Sequence, residues 1–115
     1  MQILDWKTYR QQLAAGVGSI AKTSPDIIKG YQALGAASRQ TSLLGDKVNE
    51  LIALAVAVTS RCDGCISVHT AAAIKAGATR AEIIEALGTA ISVNAGAALV
   101  YSVRTLDAFD GEQAQ

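Results

Sequence analysis

The chain is 115 residues long, half of them apolar but only 4 % aromatic, and its 10 basic residues balance 10 acidic ones. That length holds a single domain, here read as residues 1–115, with one modest core. A formal charge of zero, with no basic run and no aromatic series for stacking, lacks the electrostatic footprint of a nucleic-acid binder.

Alanine and small aliphatic residues supply most of the apolar content, and they let helices approach closely. The composition, with Val and Ile falling in helical patterns, predicts an all-α fold of about six helices. No segment reaches the roughly 18 uninterrupted apolar residues of a membrane span; the longest, Leu51 to Val58, is far shorter. The N-terminal MQILDWKTYRQQ has no basic segment followed by an apolar one, so no secretory signal is read and a cytoplasmic protein is expected.

Ile3 to Ala15 carries a weak helical pattern that Gly16 and Gly18 are expected to end. Ser24-Pro25 is a start signal, a capping residue followed by proline at the first helical position. The helix it opens runs to about Ala37, with an apolar stripe at Ile27, Ile28, Tyr31 and Leu34. Ser38 to Gly45 reads as a connection. Asp46 is the expected N-cap of a helix from Lys47 to about Ser60, whose Leu51–Val58 run leaves almost no polar face after Glu50. Such a helix is expected to be buried, within the domain or at a subunit contact.

The following helix starts near Cys62 and stops at Gly77. Thr79 and Glu82 form a capping box opening a helix to about Val93. Asn94, Ala95 and Gly96 predict a break or a close crossing before a last helix from Ala97 to Phe109, and the tail DGEQAQ is expected to fray.

Both cysteines and the single histidine fall within eight residues, Cys62-Asp-Gly-Cys65-Ile-Ser-Val-His69. At spacings of three, four and seven, all three share one helix face. At a helix start, unpaired amides and the positive end of the dipole favour a thiolate over a thiol of ordinary pKa, about 8.5. The C-x-x-C spacing also lets the sulfurs close a disulfide within one turn. Without an export signal, the pair reads as redox-active or metal-binding rather than as a structural staple.

If the helices flanking Ser60-Arg61 fold back on each other, Glu50 lies opposite about residue 71, within a turn of His69. A carboxylate buried there needs a partner, and His69 is the natural one. The chain Glu50–His69–Cys65 then forms a base relay that draws the proton from the thiol.

The stretches Asp46-Lys-Val-Asn-Glu50-Leu-Ile-Ala-Leu-Ala, Cys62-x-x-Cys65-x-x-x-His69, and Ala72 through Gly77-Ala78-Thr79 to Glu82-Ile83 resemble the carboxymuconolactone decarboxylase and alkylhydroperoxidase D-like proteins, over roughly Leu44 to Phe109. The spacing from Glu50 to Cys62 resembles the peroxidase branch. The resemblance implies an all-α alkylhydroperoxidase D-like bundle and a homo-oligomer, a trimer or a hexamer. It also implies reduction of a small hydroperoxide by a dithiol. Carried over by position, Cys65 is the peroxidatic thiol, Cys62 resolves its sulfenic acid, and His69 with Glu50 relays the proton. Regeneration needs an external dithiol, from a lipoyl-bearing or thioredoxin-like partner. One departure stands out: the best-known peroxidase of the family has a histidine directly before the second cysteine, where this chain has Gly64.

Other readings compete. Cys62, Cys65, His69 and Glu50 could supply four metal ligands, but structural zinc sites favour Cys and His sets on loops, so no metal and no cofactor is expected. A decarboxylase acting on a small lactone acid would need a cation for the carboxylate, with Arg61, Arg80 and Arg104 as candidates. A non-catalytic oligomeric module could use the cysteines only to report redox state. Asp63 and Ser67 read as solvated or capping residues, Tyr31 and Tyr101 as core or interface, and Asn94 as pocket-lining or break-forming.

Overall fold

Capping chemistry and one proline set most of the helix ends. The computed structural model describes residues 1–114. It consists of α1 (Trp6–Thr23), α2 (Pro25–Ser38), α3 (Gly45–Thr59), α4 (Asp63–Lys75) and α5 (Arg80–Gln113), with no strand among the described residues. Asp5 starts α1 by accepting from the Thr8 amide at 3.1 Å and the Thr8 hydroxyl at 2.8 Å, which satisfies a first-turn donor. The helix stops at Ser24, held at φ −140° and ψ 76° before Pro25, because a proline ring excludes helical backbone from the residue ahead of it. Gly16 and Gly18, expected to end α1, lie inside it. Each costs about 1 kcal/mol against alanine, but neither gives the backbone another hydrogen-bond partner, so the helix continues to the cap.

Asp46, the expected cap of α3, sits in its first turn instead; the cap position is Leu44, and Gly45 enters the helix at φ +78°. Arg61, in the left-handed region at φ 52°, turns the chain from α3 into α4. Gly77 closes α4 at φ +89°. The Thr79–Glu82 capping box forms in both directions, at 2.9 and 3.1 Å.

The break expected at Asn94–Gly96 does not occur. The Asn94 side chain donates to the Ala90 carbonyl at 2.7 Å and to Thr59 Oγ1 of α3 at 2.8 Å. A side chain anchored this way no longer competes for the local backbone, so α5 runs unbroken for 34 residues. There is accordingly one helix fewer than expected, and residues 110–113 of the tail expected to fray form its last turn.

The helices lie in a row. α4 packs between α1 and α3, α2 packs on α1, and α5 packs on α3 alone. The buried apolar residues are Leu54 and Ala57 of α3, Ala73 of α4 and Ala90 of α5. The row is open: its radius of gyration is 18.9 Å, against about 13 Å for a compact chain near this length. The apolar run of α3 is therefore covered on one side only, with Val56 still 58 % exposed. Tyr31 and Tyr101 are likewise outside the core of the chain.

Candidate active site

The start of α4 carries the cysteines. Cys62 is the N-cap, in extended conformation, and its sulfur accepts from the Cys65 amide at 3.2 Å. Cys62 and Cys65 are joined as a disulfide with their Cα atoms 5.2 Å apart, a separation ordinary for such bonds. One helical turn on, His69 faces back towards α3, where its Nδ1 lies 2.7 Å from Glu50 Oε2. The other oxygen of Glu50 accepts from Arg39 Nη2, and Arg39 Nη1 lies 3.9 Å from Asp46.

Glu50 is only 3 % exposed. Burial pushes its carboxyl upward, but the hydrogen bonds from Arg39 and His69, with the charge of Arg39, more than offset this and hold it below the usual carboxylate range. Glu50 is thus an anion inside the helix row. Because Nδ1 of His69 is committed to it, Nε2 is the ring nitrogen left for the other side.

That other side is a cavity of about 460 Å³, which Cys62, Cys65 and His69 line together. Leu13 and Val17 of α1, Tyr31 of α2 and Val68 of α4 make its walls apolar, and Arg10 is the one further charged residue on it. Behind Glu50 a second, polar cavity of about 290 Å³ is lined by Arg39, Asp46 and Lys75. The Glu50–His69 pair therefore separates an apolar chamber holding the disulfide from a charged one.

The structure brings Glu50, Cys62, Cys65 and His69 into one region. Among the described residues, no three His, Cys, Asp or Glu side chains converge as a metal-ligand set; both oxygens of Glu50 are taken by Arg39 and His69. Ser67, expected to be solvated or capping, is buried and donates to the Trp6 carbonyl at 3.3 Å, tying α4 to the start of α1. Arg61, Arg80 and Arg104 do not line the disulfide cavity; Arg104 stacks on Tyr101 within α5 at 5.0 Å. The cations at the site are instead Arg10 and Arg39, which sequence reasoning missed. Arg39 lies in a stretch read as a mere connection, and the signal for it was indirect: a buried carboxylate calls for a permanent cation as well as a histidine.

Gly64 has a packing role. A β-carbon there would meet Leu13 Cδ2 at 2.8 Å, so the missing side chain leaves room for the tip of Leu13 of α1 beside the cysteine turn.

Comparison with known proteins agrees with this architecture. Residues 25–108 match the model of the carboxymuconolactone decarboxylase family. An uncharacterized protein of Haemophilus influenzae is 49 % identical over 110 residues, spanning 96 % of this chain and 97 % of that protein. Another, from Cupriavidus necator, is 32 % identical over 106 residues, spanning 92 % and 94 %. Among solved structures, an apo carboxymuconolactone decarboxylase family protein of Legionella pneumophila superposes with a TM-score of 0.73 at 32 % identity, covering 92 % of this chain and 95 % of that one. Fold and sequence thus agree that the chain belongs to the carboxymuconolactone decarboxylase family.

Proposed function

We propose that the protein is a thiol-dependent peroxidase that reduces a small hydroperoxide through a Cys62/Cys65 dithiol–disulfide cycle. The observation that carries this reading is a closed Cys62–Cys65 pair sharing a cavity with a histidine whose far nitrogen is held by a buried carboxylate. In the reduced protein, His69 takes the Cys65 proton. The thiolate attacks the terminal peroxide oxygen, the O–O bond breaks, and the leaving alkoxide recovers a proton from His69 as an alcohol. Cys65 is left as a sulfenic acid. Cys62 attacks that sulfur, water leaves, and the disulfide forms. An external dithiol, lipoyl-bearing or thioredoxin-like, reduces the bond and is itself oxidised. The amide contact to the Cys62 sulfur favours it as the departing thiolate in that step.

The apolar walls favour an organic hydroperoxide over hydrogen peroxide, and a cytoplasmic setting supplies the reductant. The exposed apolar faces of α3 and α5 support a homo-oligomer, for which the family resemblance implies a trimer or a hexamer. A decarboxylase is the second reading, favoured by Arg10 beside the cavity as a carboxylate anchor.

Peroxide consumption with a generic dithiol tests the main reading, in wild type, Cys65→Ser and Cys62→Ser. Turnover in wild type, loss in both variants, and a trappable sulfenic acid only in Cys62→Ser are expected. A sulfenic acid only in Cys65→Ser reverses the two roles. Folded protein that oxidises without turning over points to a redox sensor, and decarboxylation of a lactone acid surviving both substitutions points to the second reading.

A further inference from the structure

We propose that Arg39 is a positioning residue whose fixed charge holds Glu50 ionised and so keeps His69 a neutral base with its proton on Nδ1. The charge count around one buried carboxylate decides the state of the histidine. Glu50 divides its two oxygens between Arg39 Nη2 and His69 Nδ1, and it is almost wholly removed from water. A buried carboxylate facing only a histidine draws a proton onto that ring, because the ion pair is the neutral state of the two. An imidazolium has no lone pair with which to take a thiol proton.

A guanidinium stays charged at any accessible pH. With Arg39 in place the carboxylate is already balanced, and His69 and Cys65 of the reduced protein share a single proton at net zero charge. Without it, the same cluster reaches neutrality only by holding one proton more. His69 then becomes an imidazolium while the thiol stays protonated.

The other groups facing the cluster do not replace Arg39. Asp46 of α3 lies at the long distance of 3.9 Å from Arg39 and is largely solvated, so its charge is screened. Lys75 of α4 borders the polar cavity but is exposed. Arg10 of α1 and Tyr31 of α2 reach the disulfide cavity on the His69 side, and neither forms a hydrogen bond to Glu50. Burial that acts against the Glu50 anion, overcome first by the Arg39 hydrogen bond and then by that of His69, agrees with this order of importance.

The inference shares its catalytic meaning with the peroxidase reading, but its test uses no peroxide and stands or falls separately. His69 is the only histidine of the chain, so long-range proton–nitrogen NMR correlations at pH 7.5 report its protonation without assignment. Wild type in the disulfide form is expected to carry the Nδ1–H tautomer. Arg39→Gln is expected to raise the doubly protonated fraction about threefold or more. In a reduced Cys62→Ser background it should also slow alkylation of Cys65 at pH 7 by about three- to tenfold. Arg39→Lys, which keeps the cation, is expected to restore both readouts to within about twofold.

A purely structural role would leave tautomer and alkylation profile unchanged in folded Arg39→Gln, and that result overturns the proposal. If Arg39→Gln does not fold, Arg39→Gln/Glu50→Gln removes both charges of the pair. His69 should then stay neutral but lose its preference for Nδ1–H, since an amide can donate as well as accept. Retention of the wild-type tautomer in that double variant overturns the proposal equally.

Discussion

Gly64 sits between the two cysteines with the end of Leu13 against it. Because the atom in the way is the tip of a flexible side chain, alanine at position 64 displaces Leu13 rather than a helix, and it gains about 1 kcal/mol in helix propensity. Gly64→Ala is therefore expected to stay within about 1 kcal/mol of wild type in denaturant unfolding. Gly64→His, which would bring in the histidine that the family resemblance anticipates, overfills the same space and is expected to cost about 1–3 kcal/mol. Most of that cost should vanish when Leu13→Ala is added; strictly additive effects would show that Leu13 is not the obstacle. Glu50, Cys62, Cys65 and His69 were legible from spacing, because a helix and a fold-back are local geometry. Arg39 and Leu13 were not, since their places at the site depend on how the α2–α3 connection folds back on α3 and how α1 meets α4.

At the level of the helices, one ion pair ties α3 to α5. Lys47 Nζ lies 2.8 Å from Glu82 Oε2, and Glu82 also serves the capping box of α5. The Lys47 hydrogen bond, with those from Thr79, brings the Glu82 carboxyl from 4.5 down to about 2. A carboxyl depressed on folding contributes fully above its unfolded value, near 4.5, and the contribution drains away as pH falls towards about 2. The thermal midpoint of Glu82→Gln is thus expected to lie below wild type at pH 7 and to converge on it only as the pH falls to about 2. A gap of equal size at both values would mean that the pair adds nothing. The ends of α2, α4 and α5 were readable because Ser24-Pro25, Gly77 and Thr79-x-x-Glu82 act over three or four residues. The persistence of α1 through Gly16 and Gly18, and of α5 through Asn94, was not. What decides them is the lack of any competing partner in one case and Thr59, on another helix, in the other.

The whole molecule is unusual in how much apolar surface the isolated chain leaves uncovered. α5 extends for about 50 Å and α3 for about 22 Å at the rise of an α-helix, and α5 packs on α3 alone. Its far half leaves Leu99, Val103, Leu106 and Phe109 exposed. By length and composition α5 would also suffice to cross a membrane, but its first half is docked on α3 and buries Ala90 there. Sedimentation at micromolar concentration is expected to give a closed multimer, and Leu99→Asp with Leu106→Asp is expected to shift it to smaller species. A wild-type monomer under those conditions would remove the argument.

A helix row this open, if it is completed by further copies of the chain, links stability to abundance. Where folding is completed by association, each tenfold dilution of protomers withdraws about 1.4 kcal/mol from every association step. Near that threshold, working protein rises more steeply than total protein. A cell that doubles the expression of this chain would then more than double its supply of assembled sites, and modest induction would act with the sharpness of a switch.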